Sequence, residues 1–261
     1  WFGAVADCNN TQDSIDVATD NHAPFDAAIK CFKNIADPKF EWKNVVNIPA
    51  SLGLNFNLYC LKSPLIIHSS VQLVGIGIVK SQLVFPNTGG GITISENNIG
   101  GKLAIGCEIS NLTLFGPLFI TDDLPPLPTY DKGNGITIRA ACSIKEVKVA
   151  SFDGNGIHLS ANVAVPPASN ANGTQLFYVD CRNNSINGIL VDTAGGGSGD
   201  TNACLITSAS VTSNGACGIR DQSFLGNTYI GCHSATNSKV SNNRSRVYKI
   251  GGERYICIQD N

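Results

Sequence analysis

His158, Asp192, Arg139 and Arg220 are residue types suited to acid–base work on a charged ligand, and they recur at fixed offsets from one dipeptide. That dipeptide is Gly-Ile, found at Gly91-Ile92, Gly135-Ile136, Gly156-Ile157, Gly188-Ile189 and Gly218-Ile219. If a strand buries the isoleucine, the residues one and three places later face the other side. Those places hold Thr137 and Arg139, His158 and Ser160, Leu190 and Asp192, and Arg220 and Gln222. Asp153 and Asp221 adjoin the same strands. His158 or Asp192 suits a general base, with Asp153 and Asp221 as further candidate catalytic carboxylates. Arg139 and Arg220 suit the binding of an acidic sugar through paired hydrogen bonds. Strands stacked about 4.8 Å apart bring carboxylates one or two strands away to separations used in glycoside cleavage. Tyr178 and Tyr229, with Phe177 and Phe224, offer rings that either stack on sugars or pack in a core. The competing reading is an ordinary polar outer face with cross-strand ion pairs.

Other chemistry has less behind it. Asp122-Asp123 lies in the Pro-rich stretch Asp122-Asp123-Leu124-Pro125-Pro126-Leu127-Pro128, which reads as a loop. The glycines from Gly195 to Gly199 lack the Lys-Ser/Thr ending of a phosphate loop. His22, His68 and His233 show no metal-ligand spacing, and no Cys-x-x-Cys pair occurs, so no metal or cofactor is expected. The net charge of −2, from 18 basic and 20 acidic residues, gives no basic excess for nucleic acid. No apolar run approaches the roughly 18 residues of a membrane span, so membrane insertion is not expected. The ten cysteines are widely spaced, and several sit in apolar runs such as Tyr229-Ile230-Gly231-Cys232. They read as buried free thiols, which favours a reducing compartment during assembly. The chain has no Met and opens on Trp1, so the start of the gene product is expected upstream. Asn-x-Ser/Thr occurs at Asn9, Asn111, Asn172, Asn183 and Asn243, close to chance in an Asn-rich chain.

The elements that must position these residues are short. Phe25, Ala28, Ile29 and Phe32 lie at i, i+3, i+4 and i+7, one face of a helix, with Pro24 and Asp26 suited to its first turns. The Asn/Asp/Thr-rich stretch before it reads as a loop. After it come short strands, beginning at Val45–Ile48. The last four Gly-Ile anchors are separated by 21, 32 and 30 residues. Between them a second strand recurs, at Ile144–Val149, Leu176–Val179, Cys204–Ile206 and Thr228–Ile230. Constant anchors with variable spacing predict coils that stack, with insertions projecting as loops. Stacked coils pair their strands in parallel and share one core. Gly and Asn are expected at corners that need positive φ or local side-chain bonds. Residues 1–44 are read as an N-terminal cap segment whose helix covers the open sheet edge, and 45–261 as coils. Ile256-Cys257-Ile258 reads as the middle of a coil, so further coils are expected beyond it.

Phe2-Gly3-Ala4-x-x-Asp7, Asp13 and the Ala27-Ala28-Ile29 helix resemble the opening of the pectate-lyase-like superfamily. Ile48-Pro49-Ala50-x-x-Gly53 and Val71-x-Leu73-x-Gly75-x-Gly77 resemble its next steps. Gly218–Asp221 through Asn227–His233 is similar to a segment of phage tail spikes and related bacterial surface proteins. The resemblance implies an all-β fold, a right-handed parallel β-helix with a short N-terminal capping α-helix. It also implies a polysaccharide or cell-surface glycan partner, an extracellular or virion-surface location, and the homotrimer typical of spikes. The intact motifs of polygalacturonases and calcium-dependent pectate lyases are absent. The expected function is therefore glycan recognition, with hydrolase or lyase activity or with none, as in a structural fibre or adhesin.

Overall fold

The Gly-Ile repeat forms one continuous ladder. The computed structural model describes residues 3–8, 11–30, 44–50, 58–67, 71–87, 89–94, 107–119, 133–160, 171–192, 201–223, 226–237, 248–250 and 253–258. Among them, strands Leu65–Ile67, Ile92–Ile94, Ile136–Ile138, Ile157–Leu159, Ile189–Val191 and Ile219–Asp221 lie side by side in chain order, every pair parallel. Their first residues stand in register, giving the row Leu65, Ile92, Ile136, Ile157, Ile189 and Ile219. All six side chains are buried. Each is worth roughly 1.5–3 kcal/mol against exposure, so the row holds the coils in register.

The opposite wall is a 12-stranded sheet, also parallel. Here Ser143, Gln175, Leu205 and Thr228 stand in register, as the second recurring strand requires. A chain that alternates between two parallel sheets, coil after coil, is a parallel β-helix, and parallel crossovers of this kind follow the right-handed rule. One aliphatic core fills the space between the walls, with Phe85 and Phe152 in ring contact within it.

The anchor glycines are needed for a reason other than positive φ. A Cβ on Gly135 would lie 2.7 Å from the Gly156 carbonyl oxygen, one on Gly156 2.6 Å from that of Gly188, and one on Gly188 2.7 Å from that of Gly218. The coils approach too closely there for any side chain. Positive φ falls instead on non-glycine corners of the larger sheet: Asn111, Glu146, Tyr178 and Ser208, followed by Gly231. Asparagine does serve the turns. Asn155 Nδ2 donates to Asn134 Oδ1 at 2.8 Å, and Asn187 Nδ2 to Asn155 Oδ1 at 2.8 Å. A second ladder runs from Asn184 through Asn214 to Asn237, at 3.0 and 2.9 Å.

The stretch read as a loop before the helix contains one of its own. Helix α1, Gln12–Val17, starts where the Thr11 side chain accepts from the Ser14 amide. Helix α2, His22–Lys30, buries Phe25, Ala28 and Ile29 in the main core, with Phe25 edge-on to Tyr59. Asp26 pairs with Lys30 one turn along rather than serving the helix start. Phe32 lies outside the described residues. The other end departs from expectation. Glu253–Ile258 does not begin another parallel coil; it pairs antiparallel with Ile219–Asp221, in a hairpin with Tyr248–Ile250.

Seven described cysteines are thiols outside any disulfide, and six of these are buried. Burial pushes the Cys107 thiol up to about 11 and those of Cys142 and Cys181 well above the usual range. They behave as small hydrophobes, as read from sequence. Cys217 differs, because it is disulfide-bonded.

Candidate functional site

The outer face of the smaller sheet carries two rows of side chains, one mixed and one polar. Ile66, Thr93, Thr137, His158, Leu190 and Arg220 form one, each opposite its neighbour in the strand register. Arg139, Ser160, Asp192 and Gln222 form the other. Their amides bond back to Ile94, Ile138, Leu159 and Val191 of the preceding coil, which keeps them in step. The period-2 alternation of each strand produces this: the anchor aliphatic residue points inward and the residue after it outward.

The two rows meet between neighbouring coils. His158 Nε2 lies 3.3 Å from Asp192 Oδ2, one coil further on. His158 Nδ1 is 3.3 Å from Asn134 Nδ2 on its other side. Asp192 is the more open of the pair, with 37% of its side chain exposed against 17% for His158. Arg220 lies on the strand next to Leu190, and Arg139 two strands from Asp192, so both cations flank the pair within about 10 Å by strand spacing. Both arginines are partly exposed.

Four of the expected site residues are placed elsewhere. Asp153 is only 2% exposed, in the turn that carries Phe152 into the core, and so does not line the outer face. Asp221 is 4% exposed and occupies the inward place opposite Val191, because it sits two residues after Ile219 rather than one or three. Its carboxylate is fully engaged. Oδ1 accepts from the Ser223 amide at 2.9 Å and hydroxyl at 2.6 Å, and Oδ2 from Asn227 Nδ2 at 3.1 Å and Tyr229 OH at 2.6 Å. Tyr229 thus packs on the core and bonds inward instead of presenting a sugar platform. Burial, with the Asp221 charge added, holds its phenol well above the usual range. Tyr178 is open, at 65%, but at a left-handed corner of the larger sheet, away from the pair. Phe177 is its half-buried neighbour. Phe224, Asp122-Asp123 and the 195–199 glycines lie outside the described residues.

Sequence reasoning missed Asn134. The signal was present: Asn-Gly precedes the anchor isoleucine at Asn134-Gly135, Asn155-Gly156 and Asn187-Gly188. Among the described residues, no group of three or more His, Cys, Asp or Glu is arranged to hold a metal ion. Nor is any helix among them long and apolar enough to cross a membrane.

Known proteins add a fold likeness. No protein-family profile and no curated protein sequence matches the chain. Similar solved structures include the A-module of the mannuronan C-5 epimerase AlgE6 of Azotobacter vinelandii, at 15% identity over 92% of this chain and 76% of that one, with a TM-score of 0.34. The AlgE4 A-module from the same organism gives 14% identity, 92% and 78% coverage, and 0.31. The Agl-KA catalytic domain gives 15%, with 90% of this chain and 46% of that one covered, and 0.33. At such overlap the fold class, a parallel β-helix, rests on the strand pairing itself.

Proposed function

We propose that this β-helix recognises an acidic polysaccharide along the outer face of its smaller sheet and cleaves it by β-elimination. The supporting observation is the His158–Asp192 contact, 3.3 Å long, on an open face flanked by Arg139 and Arg220. Hydrolysis by two flanking carboxylates fits less well. The two outer rows hold a single carboxylate among the described residues, that of Asp192, and Asp153 and Asp221 are buried. Elimination requires one base and a means of holding the sugar carboxylate. Asp192 takes the proton α to that carboxylate, the glycosidic C–O bond breaks, and the leaving oxygen is protonated from solvent. An arginine paired with the sugar carboxylate offsets the charge that develops there.

This reading goes with a surface location, on a virion or a cell, and with the trimeric build of spike-like proteins. The disulfide at Cys217 supports an oxidising compartment over the reducing one suggested by the free thiols.

The test is a panel of uronate-containing polysaccharides, followed by the absorbance of unsaturated chain ends. Asp192→Asn should lower the rate by about 10²–10⁴-fold, the usual contribution of a positioned acid–base group, without altering the melting temperature. Arg220→Gln should raise KM and lower kcat as well. Reducing ends without unsaturation would replace elimination by hydrolysis. Glycan binding with no product from any member of the panel would leave a non-catalytic adhesin.

A further inference from the structure

We infer that Asn134 is a positioning residue for the His158–Asp192 pair: fixed by the asparagine ladder inside the coil turns, it holds His158 in one tautomer and leaves Asp192 as the group that exchanges a proton with substrate. The inference rests on the reading of this pair as the acid–base centre.

The orientation of the Asn134 amide follows from its partners. The Asn155 backbone N–H donates to one Asn134 side-chain atom at 2.9 Å, and Asn155 Nδ2 reaches the same atom at 2.8 Å. A backbone N–H can only donate, so that atom is the carbonyl oxygen. The amide nitrogen therefore points the other way, 3.3 Å from Thr137 Oγ1 and 3.3 Å from His158 Nδ1. An amide nitrogen also only donates, so Nδ1 must carry a lone pair. The ring proton then sits on Nε2 and is directed at Asp192 Oδ2. A doubly protonated ring would set Nδ1–H against the Asn134 N–H, donor against donor.

Both imidazole nitrogens are thus committed to protein partners. His158 supplies a hydrogen bond that orients the Asp192 carboxylate, and the more exposed Asp192 faces the ligand. The ladder gives Asn134 its rigidity. Asn155 Oδ1 accepts from the Asn187 amide and Nδ2 at 3.2 and 2.8 Å, and Asn187 Oδ1 accepts from the Cys217 amide at 3.0 Å. All the oxygens of this ladder accept from the coil that follows, so the nitrogen of its first member is directed elsewhere. In the second ladder the last member, Asn237, directs its nitrogen to the Val211 carbonyl and the Ser234 hydroxyl. The first ladder instead ends on a side chain of the open face.

The experiment reads the ring nitrogens of the histidines by 1H–15N NMR at neutral pH, without substrate. The chain has 4 histidines, so the loss of one pattern in His158→Gln assigns His158. The wild-type ring should be the neutral Nε2–H tautomer. Asn134→Asp replaces the donor facing Nδ1 with an acceptor and should put a second ring proton on Nδ1, with Nε2–H still directed at Asp192. It should also lower kcat by roughly 10²-fold with little change in KM, at the low end of what acid–base positioning contributes. An Nδ1–H form or a tautomer mixture in the wild type overturns the inference. So does a ring unchanged by Asn134→Asp in a folded variant. If that variant does not fold, the wild-type spectrum alone decides. An inactive protein with the expected tautomer refutes the elimination reading but leaves the role of Asn134 in orienting the ring. An active protein with the wrong tautomer does the reverse.

Discussion

The two faces of the smaller sheet follow different rules although they share every strand. Inward lie Leu65, Ile92, Ile136, Ile157, Ile189 and Ile219, all aliphatic and all sealed. Outward, in the same coils, lie Ile66, Thr93, Thr137, His158, Leu190 and Arg220, which have no common chemistry. Each inner side chain must interlock with the coil above and the coil below, so its size is shared by the whole stack. An outer side chain needs only to suit its immediate neighbours. Register is therefore set inside, and the outer face is free to carry whatever groups a ligand requires.

The sharpest challenge to that contrast uses adjacent residues of one strand. Ile189→Ala should cost about 2–5 kcal/mol, as for a fully buried aliphatic residue. Leu190→Ala should cost less than about 1 kcal/mol, in the range of surface changes. Urea melts of the two variants decide it. A large loss at Leu190 would mean that the outer face is itself covered, as between the subunits of a fibre, and the glycan face would lose its place.

A second contrast separates glycines by what surrounds them. Gly188→Ala should destabilise by about 1–3 kcal/mol, because the new Cβ meets the Gly218 carbonyl at 2.7 Å and Asn214 Nδ2 at 2.8 Å. Gly226→Ala, with nothing within 4 Å of the added carbon and no positive φ, should melt as the wild type does. Equal shifts would show that the coils can separate to admit a methyl group, and the anchors would lose their role in spacing.

How much of this was legible beforehand divides along the same line. The inner row could be read, because burial imposes one residue type at a fixed offset and the Gly-Ile dipeptide marks it. From that row the outer positions of His158, Leu190, Asp192 and Arg220 follow by alternation alone. Asp153 and Asp221 were misplaced because closeness in sequence to a strand does not give the side on which a residue emerges. Asp221 stands at an inward place that hydrophobic patterning reserves for an aliphatic residue. Only the three-dimensional network of Ser223, Asn227 and Tyr229 makes a carboxylate tolerable there. Asn134 was overlooked for a related reason. Its contact with His158 joins residues 24 apart whose proximity depends on the coil closing. Helix α1 lies in a stretch whose polar composition resembles a loop, and Thr11 is the local cue that starts it.

Asp221 is also where the rule of the inner face stops, and alkaline stability tests whether it is sealed there. The Tyr229 phenol is raised above its ordinary value of 10.0 chiefly by burial, and further by the Asp221 charge and hydrogen bond. Between that value and its folded pKa, the folded chain keeps a proton that the unfolded chain has lost. The stability linked to this proton is fully present below pH 10 and falls as pH rises beyond it, by about 1.4 kcal/mol per pH unit for one group. Tyr229→Phe removes the hydrogen bond to a charged acceptor, at a cost of about 1.5–3 kcal/mol at neutral pH. It should also make the decline above pH 10 shallower by one proton. Tyr59 and the buried thiols, which burial also raises, keep the remainder of the slope in both proteins. Urea melts between pH 9 and 11 measure the difference. An unchanged slope would mean that Tyr229 ionises freely in the folded chain. The cage around Asp221 would then be open to water, and this carboxylate would return as a candidate for chemistry beside Asp192.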